Sequence, residues 1–442
     1  MKNDREKEME RAFWHKANSL LLDSEQFVKP GKIVRVGLEE EIAIYKKGLS
    51  PNDYEQIRDE IVAQNQEWTD VELGTSQIEI RTLPTIITNG GLCSLVDAYN
   101  ERLAIVTRFC REKGCVVLRT GANPFLPIDK IQRTNREKYQ LVPSHHDANR
   151  RAGINTIVGS NGGIDIGQAA IVSLFQSFQI NLEAESFEDA IEKLNYSLMI
   201  GPQILALATN SRFLNLQDTG ISDIRMPAWE ISHDVRTLEE INSGQELRVG
   251  LPERYFIDMK DYFNRTARFP FILYDPEHAL EIGIGLHWTD TRIKVIGNSL
   301  VVEFRLIPTQ PHLSEEIGLM LLWIGRIVYA QKAKEALLPF NYVRENRTSV
   351  INHGLSGKAW RLTSQGLRQY STKVMVADEL ELAIAGLKEI GLYHAEFVES
   401  LMERLHKGTP SDLVCQGLGR SDSKFSEESL FNTFCRCGMI VE

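Results

Sequence analysis

A chain of 442 residues that is 43% hydrophobic and 25% charged, with 31 Gly and 15 Pro, suits about two globular domains or one elaborate one, and it excludes collagen-like, low-complexity and wholly disordered classes. Lys and Arg number 50 against 60 Asp and Glu, and the resulting charge of −10 argues against a nonspecific nucleic-acid or membrane-surface binder and favours cations as partners.

In chain order, the charged start MKNDREKEMERAFWHK lacks an apolar signal core. Residues 33–45 then alternate in strand period, with Val34, Val36, Leu38, Ile42 and Ile44 on their apolar positions and Glu40 alone breaking that face. Gln77 to Thr82 is a second predicted strand, and Leu92 to Cys110 recurs at helical spacing until Gly114 stops it. Cys115 to Arg119 reads as a strand, and residues 124–167 read as long loops that include the stretch GSNGG at 159–163. Gln176 to Leu182 is a strand, and Ser186 with Asp189 caps the helix that follows. Ile282 to Val295 and Ser299 to Ile307 form an expected hairpin around Gly297-Asn298. Ser314 to Leu338 and Asp378 to Leu405 are expected as long helices, the second ended by Gly408-Thr-Pro410. The last residues carry weak periodicity and read as a mobile tail. The expected division is a charged helical extension at 1–30, a catalytic unit at 31–407 and a C-terminal tail at 408–442. Strands interleaved with helices without regular βαβ spacing give an α+β class.

Six cysteines with no Cys-x-x-Cys pair are too sparse for a disulfide framework and suit a reducing cytoplasm, and they read as structural. The densest apolar run, Ile317 to Ile324, is too short to span a bilayer, so a soluble cytoplasmic protein is expected.

Four strands share a polar face where a buried sheet would be apolar. Glu39 and Glu41 lie two apart beside Gly37, whose missing side chain leaves room for a ligand. Gln77, Glu79 and Arg81 share a face, as do Gln179 and Asn181, and as do Glu303 and Arg305. One such strand could simply face water. Four of them, restricted to carboxylates, amides and arginines, are the set that holds Mg²⁺ and phosphate together and suggest phosphoryl transfer. No P-loop and no Gly-x-Ser-x-Gly elbow is present, and GSNGG reads as a plain flexible loop. His145-His146 reads as a pair of surface loop histidines, and Trp229 and Trp288 read as core aromatics ahead of adenine platforms.

The segments VGLEEEIAIY, ELGTSQIEIRTLPT, SFQINLEAES, ATNSRFLNLQDTGISDIR, WTDTR with VVEFRLIPTQP, and VRENRTSVINHGLSG together resemble the glutamate–cysteine ligase superfamily over about residues 30 to 370. The Gln-x-Asn strand looks like the plant and proteobacterial type rather than the His-containing carboxylate–amine ligases. The resemblance implies a glutamine-synthetase-like fold, a curved and largely antiparallel sheet forming an open funnel flanked by helices. It implies ATP-dependent amide formation through an acyl phosphate, with glutamate and cysteine as default substrates, ATP and Mg²⁺ or Mn²⁺ as cofactors, and no nucleic-acid or membrane partner. A homo-oligomer is compatible with it. Carried over residue by residue, the metal set is Glu39, Glu41, Glu72, Glu79, Gln179 and Glu303. Arg292 and Arg305 match the phosphate-stabilising arginines, Arg347 with Arg292 the nucleotide contacts, and Arg225 with Arg81 the substrate contacts. Arg212 stands where relatives usually have proline, which leaves the acid substrate open. The competing reading is a ligase of the same fold for another amino acid, amine or peptide, or a catalytically silent nucleotide or amino-acid sensor. Clustered carboxylates are costly to retain without use, which argues against silence.

Overall fold

The computed structural model describes residues 3–29, 34–151, 153–159, 163–419 and 424–441. Ser160 to Gly162 of the GSNGG stretch lie outside these residues, as does Ile33 of the first predicted strand.

A curled sheet organises the chain, and among the described residues it has nine strands: β1 (Arg35–Tyr45), β2 (Thr69–Val71), β3 (Gln77–Arg81), β4 (Thr85–Ile86), β5 (Val116–Leu118), β6 (Ser177–Ala184), β7 (Thr291–Ile296), β8 (Ser299–Pro308) and β9 (Ile440–Val441). The main path runs β7-β8-β6-β1-β3-β2, while β4 and β5 add to β1 and β9 adds to β5. Every pairing in it is antiparallel. The register aligns the polar residues into rows: Arg292 opposes Glu303, Glu303 opposes Asn181, Glu39 lies between Gln179 and Arg81, and Glu41 opposes Glu79. Because side chains alternate faces, these rows share one side. A register shift between Phe304 and Ile307 in β8 marks a bulge beside Arg305.

The opposite face carries Val36, Leu38, Ile42, Phe178, Ile180, Val302 and Phe304, all buried. Against it packs the helix Phe187–Ala208, whose apolar residues run all round because it is covered by the sheet on one side and by Leu313–Ala333 on the other. Phe304 stacks on Trp323 at 5.1 Å, and Trp323 donates its indole N–H to Ser197 Oγ at 2.9 Å. Helices Leu313–Ala333 and Thr372–Glu389 approach so closely that a Cβ on Gly386 would lie 1.9 Å from the Gly325 carbonyl oxygen. Only glycine admits that crossing.

Glu40, the one interruption of the apolar face, is fully buried and pairs with Arg119 at 3.1 Å, which also pairs with Glu316 at 2.6 Å. An uncompensated charge there would cost several kcal/mol, so the guanidinium is what makes this polar insertion tolerable.

Several elements differ from expectation. The stretch expected as long loops contains the helix Glu137–Asn149, hidden by its internal Pro143 and its lack of an apolar stripe. Ile282 to Val295 is not one strand: a helix, Ala279–Gly285, precedes β7, since buried short apolar runs do not distinguish helix from strand. The expected single helix over 378–405 is two, Thr372–Glu389 and Ala395–Lys407, separated at Gly391 with φ +68°. The expected tail carries helices Pro410–Leu418 and Glu427–Arg436, and β9 completes the sheet at β5. Leu430, Phe434 and Met439 bury a small core there with Phe125 and Phe213. No helix among the described residues is long and apolar enough to cross a membrane.

Candidate active site

The polar rows of the sheet form the floor of a cleft of about 380 Å³. Glu39, Glu41, Glu72, Glu79, Gln179, Arg225, Arg292 and Arg305 supply its polar lining, and Trp229, Trp288, Ile282 and Leu286 are among its apolar lining.

Glu41 is held by Ser177, whose backbone N–H and hydroxyl donate at 2.9 and 3.0 Å, and by Gln179 Nε2 at 3.0 Å. Gln179 turns its Oε1 to accept from Arg305 Nη1 at 2.5 Å, and Asn181 donates to Glu39 at 3.2 Å. Thus amides spaced two apart on β6 fix two carboxylates spaced two apart on β1. Glu72 follows β2 in the loop before β3, within 3.4 Å of the Tyr139 hydroxyl, which donates more closely to Val71 O at 2.9 Å.

Electrostatics divide these carboxylates into two groups. Burial, only partly offset by Arg305 and reinforced by Glu79, pushes Glu41 up to about 7. Burial and the Glu41 charge push Glu72 up to about 7, and burial with Glu72 and Glu39 holds Glu79 well above the usual carboxylate range. Glu41 and Glu72 make no ion pair among the described residues, and Glu79 meets only Arg81, at 3.5 Å. Glu303 is the reverse case. Burial would raise it, but Arg292, Arg305 and Lys294 outweigh that and hold it well below the ordinary range. Lys294 Nζ lies 2.5 Å and Arg305 Nη1 3.0 Å from its oxygens, and Arg292 Nε donates to it.

Among the described residues no group of three His, Cys, Asp or Glu side chains, the glutamates of the expected metal set included, stands ready to grip a metal. Glu303 faces cations instead of an open position and does not itself line the cleft. The hard carboxylate oxygens of Glu41 and Glu72, which make no ion pair among the described residues, and of Glu79, which meets only Arg81, do fit a divalent cation by chemistry.

Arg225 opens the helix Arg225–His233 and is buried, with Nη1 donating to Arg305 O at 3.3 Å and Nη2 to Leu306 O. Its two terminal nitrogens thus hold carbonyls at the β8 bulge, while the side chain, expected to take a substrate carboxylate, also lines the cleft and leaves Nε without a partner among the described residues. Arg292 lines the cleft but is tied to Glu303 and to Gly285 O at 3.0 Å. Arg347, expected as a nucleotide contact, does not line the cleft. It clamps Asp290 at 2.5 and 2.8 Å and Glu230 at 2.6 Å. Arg81 also lies outside the lining and bonds Thr69 O at 3.2 Å. Arg212 pairs doubly with Asp218 at 2.7 and 2.9 Å, away from the lining. Gly37 does not open a gap, since a Cβ there would make ordinary contacts with Pro84 and Asn181 at 3.8 and 3.9 Å.

Trp229 and Trp288, expected in the core, stand on the cleft wall 5.6 Å apart with His233 between 4.9 and 5.4 Å from them. His146 lies on a helix rather than a surface loop and is fully buried against His233 at 4.3 Å. Residues missed from the sequence are Lys294, Asp290, Glu230, Lys138 and Tyr139. Lys294 was findable, because it follows Arg292 by two on a strand and so shares its face.

The profile of glutamate–cysteine ligase family 2 matches residues 35–386. A protein of Gloeobacter violaceus named "Putative glutamate--cysteine ligase 2" is 26% identical over 292 residues, covering 62% of this chain and 64% of that protein. The match therefore spans less than two thirds of that relative's length. The fold is shared with a Francisella tularensis glutamate–cysteine ligase solved in complex with AMP, at TM-score 0.51 and 13% identity over 92% of this chain and 89% of that one. It is shared also with a bifunctional glutathione synthetase of Pasteurella multocida, at TM-score 0.53 and 10% identity over 96% of this chain and 55% of that one. The curled antiparallel sheet with flanking helices bears out the expected α+β, glutamine-synthetase-like class.

Proposed function

The chain belongs to glutamate–cysteine ligase family 2, and from that premise we propose that it is an ATP-dependent ligase joining an amino-acid carboxylate to an amine. The carrying observation is the cleft lining, where Glu41 and Glu72, neither of them ion-paired among the described residues, and Glu79, paired there only with Arg81, stand with Arg305. A carboxylate does not react with an amine directly, because oxide is a poor leaving group. Transfer of the γ-phosphoryl group of ATP to the acid gives an acyl phosphate, the amine attacks its carbonyl carbon, and inorganic phosphate leaves.

The residues divide this work. A divalent cation, when bound, offsets repulsion between the phosphates and the acid, and Glu41, Glu72 and Glu79 are the side chains that would hold it. Arg305 presents a guanidinium fixed by Gln179 and Glu303, so it meets charge on the transferring group without reorganising. Arg292, held by carbonyls and Glu303, fixes Glu303 and through it Arg305. Asp290, both of whose oxygens accept from Arg347, adds a fixed carboxylate to the wall. The Trp229 and Trp288 faces offer a platform for a flat ring, which the purine of ATP supplies.

Glutamate with cysteine is the default pair. The test is a screen of acids and amines with ATP and Mg²⁺, read as ADP release. ADP formed with one acid and amine together supports the ligase, whereas nucleotide binding without ADP from any pair supports the silent sensor.

A further inference from the structure

We propose that Lys294 is a built-in counter-ion standing between Glu39 and Glu303, so that these two glutamates hold an ammonium group where the resemblance places a metal ion. The inference deepens the ligase reading and rests on it only for the use made of the charge.

The geometry carries it. Lys294 is two residues beyond Arg292 on β7 and therefore on the functional face. It pairs with Val301 in the ladder, which puts Glu303 on the diagonal, within reach of a long side chain. Its Nζ lies 2.5 Å from Glu303 Oε1 and 3.2 Å from Glu39 Oε1. Glu39 belongs to β1, two strands beyond β8 in the order β7-β8-β6-β1, so one ammonium ties together strands that are not neighbours. The sheet's curl is what lets it reach.

Charge counting gives the same answer. Arg292 and Arg305 meet Glu303 Oε2, while Lys294 meets Glu303 Oε1 and Glu39 Oε1, so three cations face these two carboxylates. A Mg²⁺ ion needs oxygen ligands at about 2.1 Å, and one bound by both glutamates would have to share their oxygens with the ammonium. The opposite holds on the other side of the floor, where Glu41 and Glu72 have no ion-paired cation among the described residues. Divalent cation binding is thus confined to the Glu41, Glu72 and Glu79 side, and Lys294 acts as a positioning residue that holds Glu39 and Glu303 together without a metal.

The test counts ions rather than turnover. Mn²⁺ binding to the metal-stripped, full-length protein is measured by calorimetry and by loss of the free-ion paramagnetic resonance signal. Lys294→Met should raise the number of bound ions by one, and Lys294→Arg, which keeps the charge, should leave it unchanged. Glu303→Gln removes a residue that is not a ligand and should leave the count unchanged, which keeps the inference testable should Lys294→Met fail to fold. The inference is overturned by an unchanged count in Lys294→Met, or by the loss of one ion in Glu303→Gln, which would mean that the lysine swings away when metal arrives. Absence of ADP release in a protein with the expected counts would remove the ligase reading and leave this one standing.

Discussion

Replacing Glu72 by Gln should stabilise the metal-stripped protein, and do so only at high pH. Burial and the neighbouring Glu41 charge raise Glu72 from 4.5 to about 7. An acid whose folded value is raised binds its proton more tightly folded than unfolded, so it costs nothing below about pH 4.5 and costs most above about pH 7. Every tenfold gain in proton affinity on folding is worth about 1.4 kcal/mol, so the ionised side chain costs about 3 kcal/mol at pH 8 and under about 1 kcal/mol at pH 5, the larger figure being trimmed toward about 2 by water at the cleft mouth. Gln has the same shape without the charge, and it also relieves Glu79, whose rise owes most to burial and then to Glu72. A chain this long has a large unfolding entropy, so about 2–3 kcal/mol moves Tm by about 2–3 °C. The assay is thermal unfolding of wild type and Glu72→Gln in chelator at pH 5 and pH 8. Equal shifts at both pH values, or a larger gain at pH 5, would refute strained carboxylates at this site.

Metal addition should act in the same direction. Because protons and a divalent cation compete for Glu41 and Glu72, both raised to about 7, Mg²⁺ should raise Tm more at pH 8 than at pH 6, and Glu72→Gln should lose most of that response. Arg225→Lys gives up a fork that holds two backbone carbonyls of the β8 bulge, so it should cost about 2 kcal/mol in unfolding experiments and lower kcat without raising KM for the acid alone. A selective rise in that KM would instead put the arginine on substrate. Gly250→Ala would place a Cβ 2.2 Å from Glu230 Oε1 and 3.2 Å from Arg347 Nη2 at a φ of +80°, so it should lower Tm by several degrees and weaken the Arg347 hold on Asp290; an unchanged Tm would contradict the packing.

The polar face was legible because strand alternation is local: Glu39, Glu41, Glu79, Gln179 and Arg305 each fall where period two puts them, and the cleft gathers all five. What each side chain meets there was not legible. Glu303 alternates like the others, yet its partners come from β7 and from its own strand two residues on, and their positive charges remove it from the open carboxylates. Arg225 and Arg347 lie in recognisable motifs, but whether a guanidinium faces a cleft or a carbonyl depends on the β8 bulge and on Asp290, which no single segment encodes. The wall residue Tyr139 was hidden because its helix contains Pro143 and buries few residues. Lys294 shares the face of Arg292 by the same alternation, but Arg292 was named by the resemblance rather than by the strand pattern, which left Lys294 out.

The central claim is activation of a carboxylate by phosphoryl transfer. With the acid found in the ADP screen labelled with ¹⁸O in its carboxylate, the released inorganic phosphate is analysed by mass spectrometry after turnover with ATP and the amine. The account requires one ¹⁸O per phosphate, since the oxygen bridging carbon and phosphorus leaves with phosphate when the amine attacks. Amide formation with unlabelled phosphate would contradict it, because the carboxylate would then have been activated by another route than an acyl phosphate.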